Sequence, residues 1–193
     1  MILNIETATT NCSVSIAHEG LVVSFKEMAE ANYSHAEQLH VFIQEVLQEA
    51  KISLSDLKAI AVSKGPGSYT GLRIGVSAAK GLCYALNLPL IAVPTLKSLS
   101  LQCQLQAGEV ALPMLDARRM EVYMCAFDHK GSEIRQTEAK ILEENSLSEW
   151  IASFNKVYFI GSGAQKAFEV HNQSNISVLD TLPSAKEMSG LSY

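Results

Sequence analysis

The chain has 193 residues, enough for one large domain or two small ones. Hydrophobic residues make up 48% and charged residues 18%, so the composition supports a packed core and excludes a disordered chain. The net charge of -5, with no dense run of Lys or Arg, argues against strong direct nucleic-acid binding, which needs several cations to displace counterions.

In chain order, residues 2–6 are short, apolar and strand-like. A small polar turn at 7–11 leads into an alternating strand at 12–17. His18-Glu19-Gly20 reads as a tight turn, and residues 21–28 as a third strand, so the chain opens on a three-stranded meander. In residues 34–50, Leu39, Ile43, Val46, Leu47 and Ala50 recur at helical spacing, with Ser34 as the expected N-cap and Glu37 completing a capping box. Strands follow at 59–63 and 90–93, helices at 71–86 and from Thr95 to about Gln104. The order β-β-β-α-β-α-β-α implies a mixed sheet with helices packed on it.

A polar break at 104–109 marks the expected boundary between an N-terminal lobe (1–105) and a C-terminal lobe (106–193). The second half repeats the rhythm. Strands are expected at 110–115 and 121–127 around Asp116-Ala-Arg-Arg119, a turn at 128–131 and a short helix at 146–154. A strand follows at 157–160. Gly161-Ser-Gly163 then leads into another helix, followed by a last strand at 177–179. Pro183-Ser184 begins a helix that stops after a few residues, and we expect the C-terminus to be cut short there.

The four cysteines, Cys12, Cys83, Cys103 and Cys125, form no C-x-x-C pair and read as reduced, buried thiols. Met1 runs directly into a strand without a leader, and no apolar stretch reaches the ~18–20 residues that span a bilayer. The expected location is the cytoplasm, with no membrane association.

The helix at 71–86 has two apolar faces. At about 100° per residue, Leu72, Val76, Ala79 and Cys83 form one, and Ile74, Ala78, Gly81 and Ala85 form another. Arg73, Ser77, Lys80 and Tyr84 lie between them. A helix on a sheet needs one apolar face, so the second is covered by a neighbouring helix of the same domain or by another subunit.

The loop before that helix is Lys64-Gly65-Pro66-Gly67-Ser68-Tyr69-Thr70-Gly71-Leu72-Arg73. Its spacing is not that of a P-loop. Two readings remain: a tight turn into the helix, or amides that contact an anion.

As a pattern the loop is more specific. Ile5-Glu-Thr-Ala8, Gly65-Pro-Gly-Ser-Tyr-Thr-Gly-Leu-Arg-Ile-Gly75, Ala79-Lys-Gly-Leu82 and Pro94-Thr-Leu96 appear in order, then Leu115-Asp-Ala-Arg-Arg119 and Glu121-Val-Tyr123. Gly161-Ser-Gly-Ala164 and Pro183-Ser-Ala185 complete the series. Together they resemble the TsaB (YeaZ-like) family, partner subunits in bacterial synthesis of threonylcarbamoyladenosine on tRNA. The resemblance implies an α/β fold of the actin, sugar kinase and Hsp70 group, with two related lobes, each a mixed sheet with packed helices. It implies a non-catalytic subunit that forms homodimers through the helices at 34–50 and 71–86. It also implies pairing with the catalytic paralogue TsaD over much the same surface, with the ATPase TsaE joining and tRNA met only indirectly. On those helices Leu39, Ile43, Ile74, Ala78, Gly81 and Ala85 are the expected interface residues. Asp116, Arg118 and Arg119 are expected to form an interlobe ion pair or a partner contact. No resident cofactor is expected, beyond weak ATP or ADP binding at a partner interface.

The alternative is a nucleotide-binding ATPase or kinase of the same fold. Kinase-like members need an acid and a glycine-rich turn near the N-terminus for Mg²⁺ and phosphate. Here that place reads Glu6-Thr-Ala-Thr-Thr-Asn11, which keeps an acid and lacks the glycines. A metallopeptidase-like site fails on spacing: His35 and His40 are five residues apart, about 140° around a helix, and no metal is expected.

Overall fold

The computed structural model describes residues 1–29 and 35–193. The expected cap at Ser34 lies outside the described residues. The chain forms two compact units, Met1–Ser98 with Pro183–Tyr193, and Leu99–Leu182. The boundary thus falls a few residues before the expected break at 105, and residues 183–193 belong to the first unit rather than to a C-terminal lobe.

The first unit contains β1 (Ile2–Glu6), β2 (Asn11–His18), β3 (Leu21–Ala29), α1 (His35–Glu49), β4 (Ala59–Ser63), α2 (Tyr69–Leu86) and β5 (Leu90–Val93). The sheet order is β3-β2-β1-β4-β5. β1 pairs antiparallel with β2 and parallel with β4, as a meander feeding βα units requires. The α3 helix (Thr95–Ser100) follows. It is shorter than expected and is capped by Pro94, whose carbonyl accepts the Lys97 and Ser98 amides.

The second unit holds β6 (Glu109–Asp116), β7 (Glu121–Asp128), β8 (Glu133–Ile141), α4 (Ser148–Ser153), β9 (Lys156–Ile160), α5 (Ala164–His171) and β10 (Ile176–Leu179). Its order, β8-β7-β6-β9-β10, reproduces that of the first sheet strand for strand. The two lobes are therefore related in topology. The reading from sequence missed β8, an edge strand whose residues are mostly exposed and polar. Among the described residues, no helix is long and apolar enough to cross a membrane.

Alternation along the first sheet gives it two different faces. Leu3, Ile5, Val14, Ile16, Ile60 and Val62 form the apolar core with Leu39, Phe42, Ile43 and Val46 of α1 and Ala79 and Cys83 of α2. The opposite face carries Asn4, Glu6, Ser13, Ser15 and Ser63, all buried. A short α6 (Ala185–Met188) binds there through hydroxyls: Ala185 N–H donates to Ser13 Oγ at 3.0 Å, and Ser15 Oγ donates to the Ala185 carbonyl at 2.8 Å. Ala185 and Met188 add a small apolar contact with Ala61 and Val93.

Candidate functional site

The acid at the end of β1 has no access to solvent. Glu6 is fully buried; its Oε1 accepts from the Ala8 amide at 2.7 Å and from the Ser63 hydroxyl at 2.8 Å. Among the described residues its Oε2 has no hydrogen-bond partner. Burial raises its pKa from 4.5 to about 7 against those hydrogen bonds. The Cys12 thiol is pushed up to about 11, first by burial and then by the charge of Glu6.

The turn after Glu6 is gripped by the glycine motif. The Ser68 amide donates to the Ala8 carbonyl at 2.6 Å, and Thr7 Oγ1 donates to the Gly71 carbonyl at 2.8 Å. A Cβ at Gly67 would overlap the Ala8 carbonyl, one at Gly71 the Thr7 carbonyl, and one at Gly75 the Thr7 hydroxyl. The glycines therefore serve backbone-to-backbone contact with the Thr7–Ala8 turn. The Gly71 amide is taken by Ser68 Oγ, the N-cap of α2, and the Leu72 amide by the Ser68 carbonyl. The Ser68, Gly71 and Leu72 amides thus all have acceptors within the protein, which fits the tight turn into the helix. Pro66 is half-buried and Thr70 exposed. Arg73 turns outward over the Tyr69 ring, 5.2 Å from its centroid.

The same turn holds α1. His35 is buried with Nε2 2.6 Å from the Thr9 carbonyl, while His40 is exposed on the opposite side of its helix. Glu6, the Thr7–Asn11 segment and the starts of α1 and α2 thus form one connected knot.

The expected interface residues divide into three groups. Leu39 and Ile43 are core residues of the first unit, 0% and 5% exposed, and present no surface to a partner. Ile74 and Ala78 are half-buried against the core, and Gly81 and Ala85 are exposed. The line of α2 that meets the sheet is Gly71, Gly75, Ala79 and Cys83, not the bulkier Leu72 and Val76. Small residues let the helix axis approach the sheet, so the larger side chains splay to its flanks. Tyr84, read from sequence as part of a polar strip, is 92% exposed beside Gly81 and Ala85. On α1, Val41 is 44% exposed.

In the second unit the β6–β7 turn gathers Asp116, Arg118 and Arg119. Lys166 Nζ donates to Asp116 Oδ1 at 2.6 Å, to the Arg119 carbonyl at 2.8 Å and to the Glu121 carbonyl at 2.7 Å. The ion-pair partner of Asp116 is therefore a lysine of its own unit, contributed by α5, which the sequence reading did not single out. Partial burial works against ionisation of Asp116, but the Lys166 ammonium and the Arg118 amide outweigh it and hold the carboxyl below its ordinary value. Elsewhere in this unit His171 is buried beside a groove of about 410 Å³, with Nε2 3.1 Å from Ser146 Oγ.

Two five-stranded mixed sheets of one topology, each carrying helices, define the actin-like ATPase and sugar kinase fold. The ROK hexokinase of Thermus thermophilus superposes with a TM-score of 0.55, covering 99% of this chain and 96% of its own at 10% identity; that likeness is one of fold alone. A structure of YeaZ from Pseudomonas aeruginosa matches far better, with a TM-score of 0.82 and 29% identity over 98% of this chain and 89% of its own. The family model described as TsaD, tRNA N6-adenosine threonylcarbamoyltransferase, matches residues 29–178. The tRNA threonylcarbamoyladenosine biosynthesis protein TsaB of Escherichia coli is 32% identical, over 97% of this chain and 83% of its own length. Its counterpart in Bacillus subtilis is 29% identical over 93% and 77%. The chain belongs to the TsaB (YeaZ-like) family.

Proposed function

We propose that this chain is a non-catalytic pairing subunit that supports a TsaD-like threonylcarbamoyltransferase in tRNA threonylcarbamoyladenosine modification. The observation that carries this reading is the outer side of α2, where the exposed Gly81, Tyr84 and Ala85 lie beside the half-buried Ile74 and Ala78. Small residues flanking an exposed aromatic ring suit the close approach of another helix. Burial of Glu6 and closure of the Thr7–Ala8 turn by the glycine loop speak against phosphoryl transfer at that place. On this reading the chain works in the cytoplasm, pairs with itself when alone and with its TsaD-like paralogue when that is present. A TsaE-like ATPase joins the pair, tRNA is contacted only indirectly, and no resident cofactor is needed.

Light-scattering mass tests this. The chain alone is expected to run as a dimer and to convert to a one-to-one complex when the TsaD-like paralogue is added. Ala85→Glu places a charge on the exposed side of α2 without touching the core, and is expected to weaken both associations at unchanged melting temperature. A monomer that ignores the paralogue, or an Ala85→Glu variant with undiminished pairing, would count against this surface.

A further inference from the structure

The β6–β7 turn is built in a way its position in the fold does not require. Arg118 and Arg119 both have positive φ, 71° and 46°. Adjacent left-handed residues at a hairpin tip are the usual places of Asn and Gly, which hold that backbone with less strain than a long side chain does. Strained positions of this kind persist where surrounding structure over-determines them, and they cluster at ligand-holding sites. Here the over-determination is visible. Lys166 uses all three ammonium donors on Asp116 Oδ1, the Arg119 carbonyl and the Glu121 carbonyl. Asp116 Oδ1 also accepts the Arg118 amide at 2.8 Å, and the Asp116 amide donates to Ser162 Oγ at 3.2 Å.

That arrangement settles the local charge. Lys166 neutralises Asp116. Both arginines are exposed, and among the described residues neither forms an ion pair. Two adjacent, exposed guanidiniums therefore stand without a salt-bridge partner among the described residues, on a chain whose net charge is -5. Guanidinium forks match the oxygen geometry of a phosphate group.

We propose that the β6–β7 turn is a phosphate-binding site, with Arg118 and Arg119 as its ligands and Lys166 as the positioning residue that holds the turn. The phosphate is that of a free nucleoside polyphosphate; an RNA backbone bound at this turn would instead replace the indirect tRNA contact of the proposed function. The site is independent of the pairing surface on α2, and its test does not depend on association.

The experiment is calorimetric titration of the full chain with pyrophosphate and, separately, with a tRNA transcript at low and moderate salt. Each is repeated on the double variant Arg118→Asn, Arg119→Gly. That variant supplies residues suited to the turn, so it is expected to melt at the same or a higher temperature and to bind at least tenfold more weakly. Lys166→Met, which keeps both arginines, is expected to lose part of the binding. Heat with pyrophosphate assigns the site to free phosphates. Heat with tRNA that falls steeply with salt and is lost in the double variant assigns it to the RNA backbone. No binding of either probe, or equal binding by wild type and double variant, overturns the proposal.

Discussion

Replacing Gly71 with alanine is expected to destabilise the first unit by about 2–3 kcal/mol, the upper part of the usual range for overpacking. The added methyl would overlap the Thr7 carbonyl oxygen, which is backbone and cannot rotate away. The same carbonyl belongs to the turn held by Ser68 N–H and by His35, so relief of the clash has to shift the starts of both α1 and α2. Ten residues further along the same helix, Gly81 has nothing within 4 Å of a would-be Cβ. Gly81→Ala is therefore expected to stabilise by about 0.5–1 kcal/mol, the ordinary gain of alanine over glycine in a helix interior. Urea unfolding of the two variants checks both signs together. Equal effects from the two changes would mean that helix propensity, and not contact with the Thr7–Ala8 turn, governs this motif.

The second large effect is a dependence of stability on pH that comes from one carboxyl. Folding raises the Glu6 pKa from 4.5 to about 7, so the folded state favours the proton more than the unfolded chain does. Below the unfolded value both states are protonated and Glu6 costs nothing. As pH rises through the window between the two values, the unfolded chain ionises first and stability falls. Above about 7 the cost levels off, at about 3 kcal/mol for a group so deeply buried. Glu6→Gln removes the titration while keeping an oxygen for the Ala8 amide and the Ser63 hydroxyl. Whatever constant offset the amide introduces, the stability difference between wild type and variant is expected to change by about 3 kcal/mol between pH 4 and pH 8. A difference that stays flat over that range would show that Glu6 ionises as freely in the fold as out of it.

Much of the fold was legible because its signals are local. The strands at Ile2–Glu6, Ala59–Ser63 and Leu90–Val93 are short apolar runs between turn residues, and the structure has them at the expected bounds. The β8 strand was not legible: an edge strand paired on one side only, with six polar or charged residues in Glu133–Ile141, carries no apolar alternation to read. In α2 the helix was evident but its buried line was not, since Gly71 and Gly75 carry no hydrophobic signal and are buried for their smallness. The glycine motif could be recognised as a pattern, yet its partner could not, because Thr7 and Gly71 meet across 64 residues of sequence. Leu39 and Ile43 stood out by helical spacing, and spacing alone does not say whether an apolar face meets its own sheet or another chain; here it meets its own sheet. Lys166 was silent for the same reason as Thr7: an ordinary surface-type residue becomes a structural one only when α5 brings it to the β6–β7 turn.

The attachment of residues 183–193 to the polar face of the first sheet has a consequence for how the molecule is made. The second unit, Leu99–Leu182, is an insertion within the first. As the chain leaves the ribosome, residues 1–98 are synthesised well before the segment that covers Asn4, Ser13 and Ser15. Until that segment arrives, the nascent first unit has one face closed over its apolar core by α1 and α2, and leaves open the row of amides and hydroxyls on the other. Water wets that row, so the part of the face still open while the inserted unit folds is largely polar, with only the small apolar strip of Ala61 and Val93 beside it.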